Sequence, residues 1–292
     1  MTITSILEVW DTQSNTRNVI CVFENKHIEA PNWTPDGKAL IYNSGGSLYR
    51  YDLETGESDR IDTGCCVSCN NDHLISRDGK KLAISSGTAE SPMSKIWIVP
   101  IKGGEPELVV EKDLSFLHGW SPDEKTVAYT RLEVNIVNNN RHVLSADIYT
   151  CNTDDRNSET RLTDGAGMKD GPEYSPDGKT IWYNSTESGL MQIWKMNTDG
   201  KNKTQVTFDE TRNSWFPHIS PDGNKIVYIA YKKDDAEPKD HPANKNVELL
   251  IMDATGGEPK VLCVLFGGQG TINVPSWSPD SKKFAFVSYR FD

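Results

Sequence analysis

Short runs of aromatic and β-branched residues alternate with polar turns along the chain, most clearly in residues 171–207. Residues 179–184 (KTIWYN) and 192–196 (QIWKM) are typical of half-buried strands. The turn at 175–178 (SPDG) precedes the first of these strands, because Pro presets φ and Gly accepts the left-handed conformation. With a second turn at 197–200 (NTDG) and a short strand on either side, this segment predicts four antiparallel strands.

The turn that opens this unit recurs at intervals of 42, 45, 54, 45 and 58 residues. Its six copies are 34–37 (TPDG), 76–79 (SRDG), 121–124 (SPDE), 175–178 (SPDG), 220–223 (SPDG) and 278–281 (SPDS). A repeat of this length with a fixed turn motif indicates a β-propeller. The sequence therefore predicts an all-β fold in which each repeat forms one four-stranded blade.

The two ends of the chain each carry half of a repeat. Residues 5–23 align with the third and fourth strands of the unit, and residues 274–289 (VPSWSPDSKKFAFVSY) with the first and second. We therefore predict that both ends pair in one sheet and close a six-bladed ring, which removes exposed sheet edges. On this interpretation residues 1–292 form a single domain.

Two long insertions separate the second and third strands of their blades, at residues 132–145 and 231–247. In the predicted topology, these insertions and the links between blades lie on one face, called here the upper face. The tight PDG-type turns lie on the opposite, lower face. Irregular loops on a rigid scaffold are where binding groups concentrate, so we expect the upper face to carry the functional site.

Two of the six turns have another residue where the repeat places Gly, namely Glu124 and Ser281. A residue other than Gly costs about 1–2 kcal/mol in the left-handed conformation. We therefore expect Glu124→Gly to be neutral or stabilising.

The chain is acidic, with a net charge of −11 and a pI of about 5.1. This charge disfavours non-specific binding to nucleic acids, which depends on Lys and Arg, and binding to anionic membranes. No apolar run approaches the roughly 20 residues of a membrane-spanning helix. The N-terminal sequence MTITSILEVWDT lacks the features of a signal peptide. We expect a cytoplasmic location, or a periplasmic one if the sequence has been trimmed.

Sequence motifs for familiar catalytic sites are absent. The sequence has no GxSxG, HExxH, Walker or GxGxxG motif. Residues 66–69 form a CxxC, but no second pair follows at the spacing of a zinc ribbon. We interpret the six cysteines as reduced residues of strands and loops.

Polar residues cluster in the segments predicted to lie on the upper face, and all six histidines fall there. His27, His73, His118 and His218 precede first strands or lie near them, and His142 and His241 lie in the insertions. The candidate ligand-binding residues are His73, His118, His218, Asp170, Glu29, Asn71, Gln269 and Asn273.

Three interpretations of this cluster stay open. His73, His118 and His218 could ligate a divalent metal ion, although we expect no other cofactor. The cluster could instead hydrogen-bond a polar ligand such as a sugar or a peptide, with Trp side chains for stacking. It could also satisfy backbone groups of the loops near the axis.

The repeated pattern P-x-W-SPDG-K, with the segments FLHGWSPD, KDGPEYSPDG, NSWFPHISPDG and FGGQGTINVPSWSPD, resembles the propeller of TolB-like proteins over essentially the whole chain. The resemblance implies a six-bladed propeller. TolB itself is a periplasmic protein that binds protein partners and carries an α/β domain before its propeller. The repeat is also similar to the propellers of prolyl-oligopeptidase relatives and of oligogalacturonate lyases. In those lyases a metal is held by a glutamine and by histidines three and five residues after it. Here the residues three and five positions after Gln269 are Ile272 and Val274, which cannot ligate a metal.

We therefore expect a binding or interaction module that takes a small polar ligand, a peptide or a protein partner in an axial funnel on the upper face. The alternative is a metal-assisted lyase or hydrolase acting on a uronic-acid-type or other polar substrate. In that case His73, His118 and His218 would serve as metal ligands or acid–base groups.

Overall fold

The computed structural model describes residues 2–137 and 140–291, which form 23 strands and no helix within those ranges. The strands make six antiparallel sheets arranged as the blades of a propeller. The predicted all-β, six-bladed fold is therefore confirmed. None of the described residues belongs to a helix that could cross a membrane.

Five of the blades have four strands each, and consecutive strands are neighbours in every one of them. In chain order the strands are β1 (Ile3–Asp11) and β2 (Thr16–Phe23) in the closing blade; β3 (Glu29–Trp33), β4 (Ala39–Ser44), β5 (Ser47–Asp52) and β6 (Ser58–Arg60) in blade one; β7 (Cys66–Ile75), β8 (Lys81–Thr88), β9 (Lys95–Pro100) and β10 (Glu107–Val110) in blade two; β11 (Ser115–Trp120), β12 (Thr126–Val137), β13 (Asn140–Asn152) and β14 (Asp155–Arg161) in blade three; β15 (Lys169–Tyr174), β16 (Thr180–Ser185), β17 (Gln192–Asn197) and β18 (Thr204–Gln205) in blade four; β19 (Arg212–Ile219), β20 (Lys225–Lys232), β21 (Lys245–Asp253) and β22 (Lys260–Gly267) in blade five; and β23 (Lys283–Phe291) in the closing blade again.

Strands from the two ends of the chain close the ring. β1 pairs with β23 along its whole length, from Ile3 opposite Phe291 to Asp11 opposite Lys283. The predicted pairing of the chain ends in one sheet is confirmed. The first strand expected near residue 274 is reduced to a single bridge between Trp277 and Phe284, so this sheet has three strands.

The shortened first strand of the closing blade contributes two polar groups near the axis. Residues 272 and 273 are used at the axis and do not join the ladder. The carbonyl of Ile272 accepts a hydrogen bond from His218, and the Asn273 amide donates one to Asp72.

The insertion of blade three differs from the irregular loop expected at residues 132–145. The strands β12 and β13 continue through it as a long hairpin, with Val134 opposite Val143 and Asn135 opposite His142. β-branched residues favour this extended conformation. The insertion of blade five is a loop between Lys232 and Lys245, and the Tyr231 hydroxyl anchors it by donating to the carbonyl of Pro242.

Each repeated turn is a small hydrogen-bonded unit, which explains the repetition of its sequence. In blade four the Ser175 hydroxyl donates to Asp177 at 2.7 Å and accepts from the amide of Thr180 at 3.0 Å. The Asp177 carboxylate also accepts from the amide of Lys179. These bonds hold the pKa of Asp177 below its usual value, with the Ser175 bond as the largest cause.

Apolar side chains of neighbouring sheets fill the space between blades. Ile148 of blade three, for example, packs in one cluster with Tyr183 and Met196 of blade four. Buried polar groups add specific ties near the axis. The Asn184 carboxamide oxygen accepts from the amide of Phe216, and the Ser85 hydroxyl accepts from the amide of Leu117. These ties join adjacent blades and hold their inner strands in register.

The two turns that lack Gly have a compensating bond. Glu124 and Ser281 adopt φ values of 62° and 61°, as the turn requires. The Glu124 carboxylate accepts a hydrogen bond from the amide of Asp78 in the preceding blade. Ser281 accepts one from the amide of Asp222 in the same way. The side chain at this position therefore links successive turns on the lower face.

We predict that Glu124→Gly is neutral in thermal and urea melts. The substitution relieves about 1 kcal/mol of left-handed strain but removes a hydrogen bond worth about 1 kcal/mol. Glu124→Ala keeps the strain and loses the bond, so it should destabilise the protein by about 1 kcal/mol. An alanine variant as stable as the wild type would show that the bond between blades contributes nothing.

Candidate functional site

The upper face opens into an axial cavity of about 750 Å³. In each of the six blades, the residue five positions before the first residue of the repeated turn lines the wall of this cavity. Those six residues are Glu29, Asn71, Phe116, Asp170, Trp215 and Asn273. The site is therefore built by the same position of the repeat in all six blades.

Bulges in the innermost strands direct these side chains toward the axis. The register of β3 shifts between Glu29 and Asn32, and that of β15 between Asp170 and Glu173. The residue after the wall position has a positive φ in three blades, at Ala30, Gly171 and Phe216. A bulge bends its strand and re-aims a side chain. At position 171 a Cβ would lie 2.8 Å from the Asn184 carboxamide oxygen, so a residue larger than Gly would displace that side chain.

His118 and Asp170 form a buried pair at the floor of the cavity. The His118 Nε2 atom lies 3.2 Å from Asp170 Oδ1 and 4.0 Å from Asp72 Oδ1. Burial by itself lowers the pKa of His118, but the nearby carboxylates of Asp72 and Asp170 raise it above its usual value. Burial opposes ionisation of Asp170 as well, yet the His118 hydrogen bond and charge hold the pKa of Asp170 far below its usual range. Both shifts favour the charged form of the pair, an imidazolium beside a carboxylate.

Asp72 lies beside this pair and is held by two amide side chains. Asn70 Nδ2 donates to Asp72 Oδ2 at 2.6 Å, and Asn273 Nδ2 donates to Asp72 Oδ1 at 2.6 Å. Burial raises the pKa of Asp72, while the charge of His118 acts in the opposite direction. The Asn273 bond spans the ring from the closing blade to blade two.

Glu29 is a further carboxylate of the cavity, and it has few partners. Within the described ranges 2–137 and 140–291, the basic side chain found within 4.0 Å of it is that of His27, whose Nε2 atom lies 3.9 Å from Glu29 Oε1. Burial, together with the charge of Asp72, raises the pKa of Glu29 to about 7. Burial also lowers the pKa of His27, so His27 supplies little positive charge at neutral pH.

Aromatic residues form the wall on the side of blade five. His241 packs edge-on against Trp215 and Phe216, with ring centroids 4.5 and 5.3 Å away. Its Nε2 atom lies 3.6 Å from Asp170 Oδ2. Burial lowers the pKa of His241, although the charge of Asp170 acts against this. The insertions of blades three and five add His142 and His241 to the lining.

Below His118 the axis continues into a second cavity of about 520 Å³ on the lower face. The prolines of the repeated turns line it, and His118 borders both cavities. His118 therefore lies between the polar upper cavity and the lower one.

Six of the eight candidate residues predicted from sequence line the upper cavity, and two do not. The six are Glu29, Asn71, His118, Asp170, Gln269 and Asn273. His73 is fully buried with Nε2 3.2 Å from the carbonyl of Ile41, and burial lowers its pKa to about 4. His218 hydrogen-bonds through both ring nitrogens, to Glu173 and to the carbonyl of Ile272.

The expectation that all six histidines lie together on the upper face is therefore wrong, because His73 and His218 are buried and hydrogen-bond to neighbouring blades. Within the ranges that the structure describes, no three His, Cys, Asp or Glu side chains are arranged to hold a metal ion. The set His73, His118 and His218 is thus not assembled as a metal site.

His118 lines the cavity and His73 does not, although both lie three residues before their turns. The position of the bulge in each strand explains this difference. In β11 the register skips from Leu117 to Gly119, so His118 is the extra residue and leaves the ladder. In β7 the shift ends at His73, which is already paired with Ile84. A shift of one residue moves a side chain to the other face of its strand.

Several residues of the cavity were not among the candidates. They include Asp72, Phe116, Thr130, Trp215 and His241. The constant offset of five residues before each turn is the signal that would have found Phe116 and Trp215. Asp72 breaks this rule, since it lies four residues before its turn.

We predict that Glu29→Gln stabilises the protein at pH 8 and has little effect at pH 4. The pKa of Glu29 is about 7 in the folded state against a reference of 4.5, so the folded wild type loses stability as the pH rises between these values. The loss is complete above pH 7 and amounts to roughly 3 kcal/mol at most. Urea denaturation at the two pH values measures it. The exposed Glu54→Gln is the control and should change neither, and a Glu29→Gln variant no more stable than wild type at pH 8 would contradict the prediction.

Comparison with known proteins places this architecture in a family. The sequence profile described as the TolB beta propeller domain matches residues 134–239. An uncharacterised protein of Agrobacterium fabrum is 43% identical over 287 residues, covering 98% of this chain and 92% of its own length. A solved structure of a TolB candidate from Agrobacterium tumefaciens has a TM-score of 0.89 at 42% identity and is covered completely, as is this chain.

More distant relatives share the fold. The Tol-Pal system protein TolB of Francisella tularensis is 24% identical over 94% of this chain, which spans 59% of that protein's length. An oligogalacturonate lyase in complex with manganese has a TM-score of 0.55 at 14% identity, covering 82% of this chain and 67% of its own, and shows a common fold only. The matched profile, the 43% identity and the closely superimposable structure lead to one conclusion: the chain belongs to the TolB-like β-propeller family.

Proposed function

We propose that this propeller is a binding module that takes a small polar ligand or a segment of a protein partner into the upper cavity. The observation that carries the proposal is the convergence of one wall residue from each of the six blades on a single axial cavity. Such a repeated position at the mouth of a closed ring is a preferred place for a ligand.

The size and composition of the cavity support this proposal. Its volume of about 750 Å³ falls within the range of roughly 300–1,000 Å³ that is usual for ligand sites. Aromatic residues, carboxylates and amide groups all line it. This combination suits a ligand with an apolar part and several hydrogen-bonding groups.

The rim offers a further surface to a protein partner. The hairpin of blade three exposes Ile136 and Leu144, which are 68% and 67% accessible, and the neighbouring Val143 lines the cavity. Exposed apolar residues beside a pocket are typical of an interaction surface. The relative from Francisella tularensis is named as a member of the Tol-Pal system, which favours a protein segment as the ligand.

We do not extend the proposal to a metal-assisted lyase or hydrolase. The histidines that this alternative requires are engaged with carbonyl groups and a carboxylate, and the lyase similarity concerns the fold alone. The cytoplasmic location stays a prediction, and similarity to a Tol-Pal system protein does not support it.

We predict that Leu132→Trp blocks binding in the upper cavity. Leu132 lines the cavity at the base of the blade-three hairpin, so the larger side chain fills space that a ligand needs. The probe is a library of random dodecapeptides displayed on phage, panned against the wild-type protein. Synthetic copies of the enriched peptides are then measured by calorimetry, and Leu132→Trp should weaken their binding at least about tenfold, the loss of roughly 1.4 kcal/mol.

The matched control is Val19→Trp, which adds similar bulk on the exposed outer strand β2 and should leave the affinity unchanged. Enriched peptides that bind both variants equally, or a library that yields none, would argue against the proposed function.

A further inference from the structure

We propose that the upper cavity recognises its ligand through a cationic group, an ammonium or a guanidinium, with the carboxylate of Glu29 as its counter-ion. The inference rests on the proposed function, because it names the chemistry that the same cavity would bind. It follows from the distribution of charge and of unpaired hydrogen-bond acceptors around the cavity.

Carboxylates outnumber cations inside the cavity. Glu29, Asp72 and Asp170 all line it. Asp170 is paired with His118, and Asp72 receives hydrogen bonds from two amide groups. Glu29 is left with the distant His27 at 3.9 Å. Lys239 and Asp240 also line the cavity, but both lie on the exposed loop of blade five.

Asn273 supplies an independent indication of a ligand that donates hydrogen bonds. Its side chain is 1% exposed and lines the cavity. The ionised carboxylate of Asp72 can only accept, and in that state the bond between them fixes the Asn273 Nδ2 atom toward Asp72. The Asn273 Oδ1 atom is then an acceptor, and it has no partner among residues 2–137 and 140–291. A buried acceptor without a donor is costly, and a bound donor would remove that cost.

A cationic group matches these acceptors better than a neutral one does. An ammonium carries three donors and a guanidinium five, and neither has an acceptor that would need its own donor. The aromatic wall of Trp215 and Phe216 lies in the same cavity, and aromatic faces attract such cations. The bound charge would also offset the excess of carboxylates.

The protonation of Glu29 makes this recognition dependent on pH. The groups that face Glu29 are His27, Asp72 and Tyr289. Burial lowers the pKa of His27 and raises the pKa of Tyr289, so both are neutral at neutral pH. Burial and the charge of Asp72 bring the pKa of Glu29 to about 7. Glu29 therefore becomes charged between pH 6 and pH 8, and affinity for a cation should rise over that interval.

The test compares cationic ligands with a neutral counterpart. The probes are Nα-acetyl-lysine methylamide, its Nε-acetylated neutral counterpart, Nα-acetyl-arginine methylamide and free 1,5-diaminopentane, measured by ligand-observed NMR titration at pH 6 and pH 8. We expect the lysine or arginine probe to bind at pH 8 and the neutral counterpart to bind at least about tenfold more weakly, since a hydrogen bond to a charged group contributes that much.

Glu29→Gln is the decisive variant, because it keeps the shape of the side chain and removes its charge. It should weaken binding of the cationic probes about tenfold at pH 8 and abolish the difference between pH 6 and pH 8. Glu54→Gln, on the exposed turn after β5, is the matched control and should behave as the wild type does. Melting curves of both variants establish that they are folded.

The possible outcomes separate this inference from the proposed function. Equal binding of the neutral probe, no effect of Glu29→Gln, or no binding of any cation would overturn the inference. The proposed function would still stand if the peptides selected by panning require the open cavity. Tighter binding of diaminopentane than of the amino-acid probes would identify a free amine as the source of the cation, and the reverse would identify a Lys or Arg side chain of a protein segment.

Discussion

The pairing of β1 with β23 is the constraint on which the rest of the structure depends. Nine consecutive residues of β1, from Ile3 to Asp11, face β23 in an antiparallel ladder. This ladder joins the two ends of the chain and turns an open array of sheets into a ring. Bonds beside it secure the junction with blade one, where the amide of Ala30 donates to the carbonyl of Gly270 and the Tyr289 hydroxyl donates to that of Ile28. Closure brings Glu29 next to residues from the other end of the chain.

Once the ring is closed, the residue five positions before each repeated turn faces the axis in every blade. Each inner strand begins at the upper face and ends at a tight turn on the lower face, and bulges lie between the two ends in five blades. The six wall residues therefore converge on one cavity, although they are far apart in sequence. The repeat supplies the position, and the blades differ in the chemistry that they place there: carboxylates, amides and aromatic rings.

The same position can carry opposite electrostatic behaviour in two blades. Glu29 and Asp170 both lie five residues before their turns, and both are largely buried. His118 lies 3.2 Å from Asp170 and holds the pKa of that carboxyl far below its usual range. Burial dominates at Glu29, with the charge of Asp72 added to it, and its pKa rises to about 7. The difference leaves Glu29, unlike Asp170, without a close counter-ion, which is why it is the group assigned to a bound cation.

The sequence by itself determined the number of blades, the closure of the ring and the face that carries the cavity, because turns depend on local residue types and the repeat is regular. It also indicated that Glu29, Asn71, Asp170 and Asn273 belong to the upper face, where they line the cavity, since they share the polar character of the links between blades. Only the tertiary structure decided which histidines face the axis. His73 and His118 have the same offset from their turns, but the bulge falls on different sides of them. The position of a bulge depends on the pairing of two strands and on contacts between blades, so short-range sequence patterns do not reveal it.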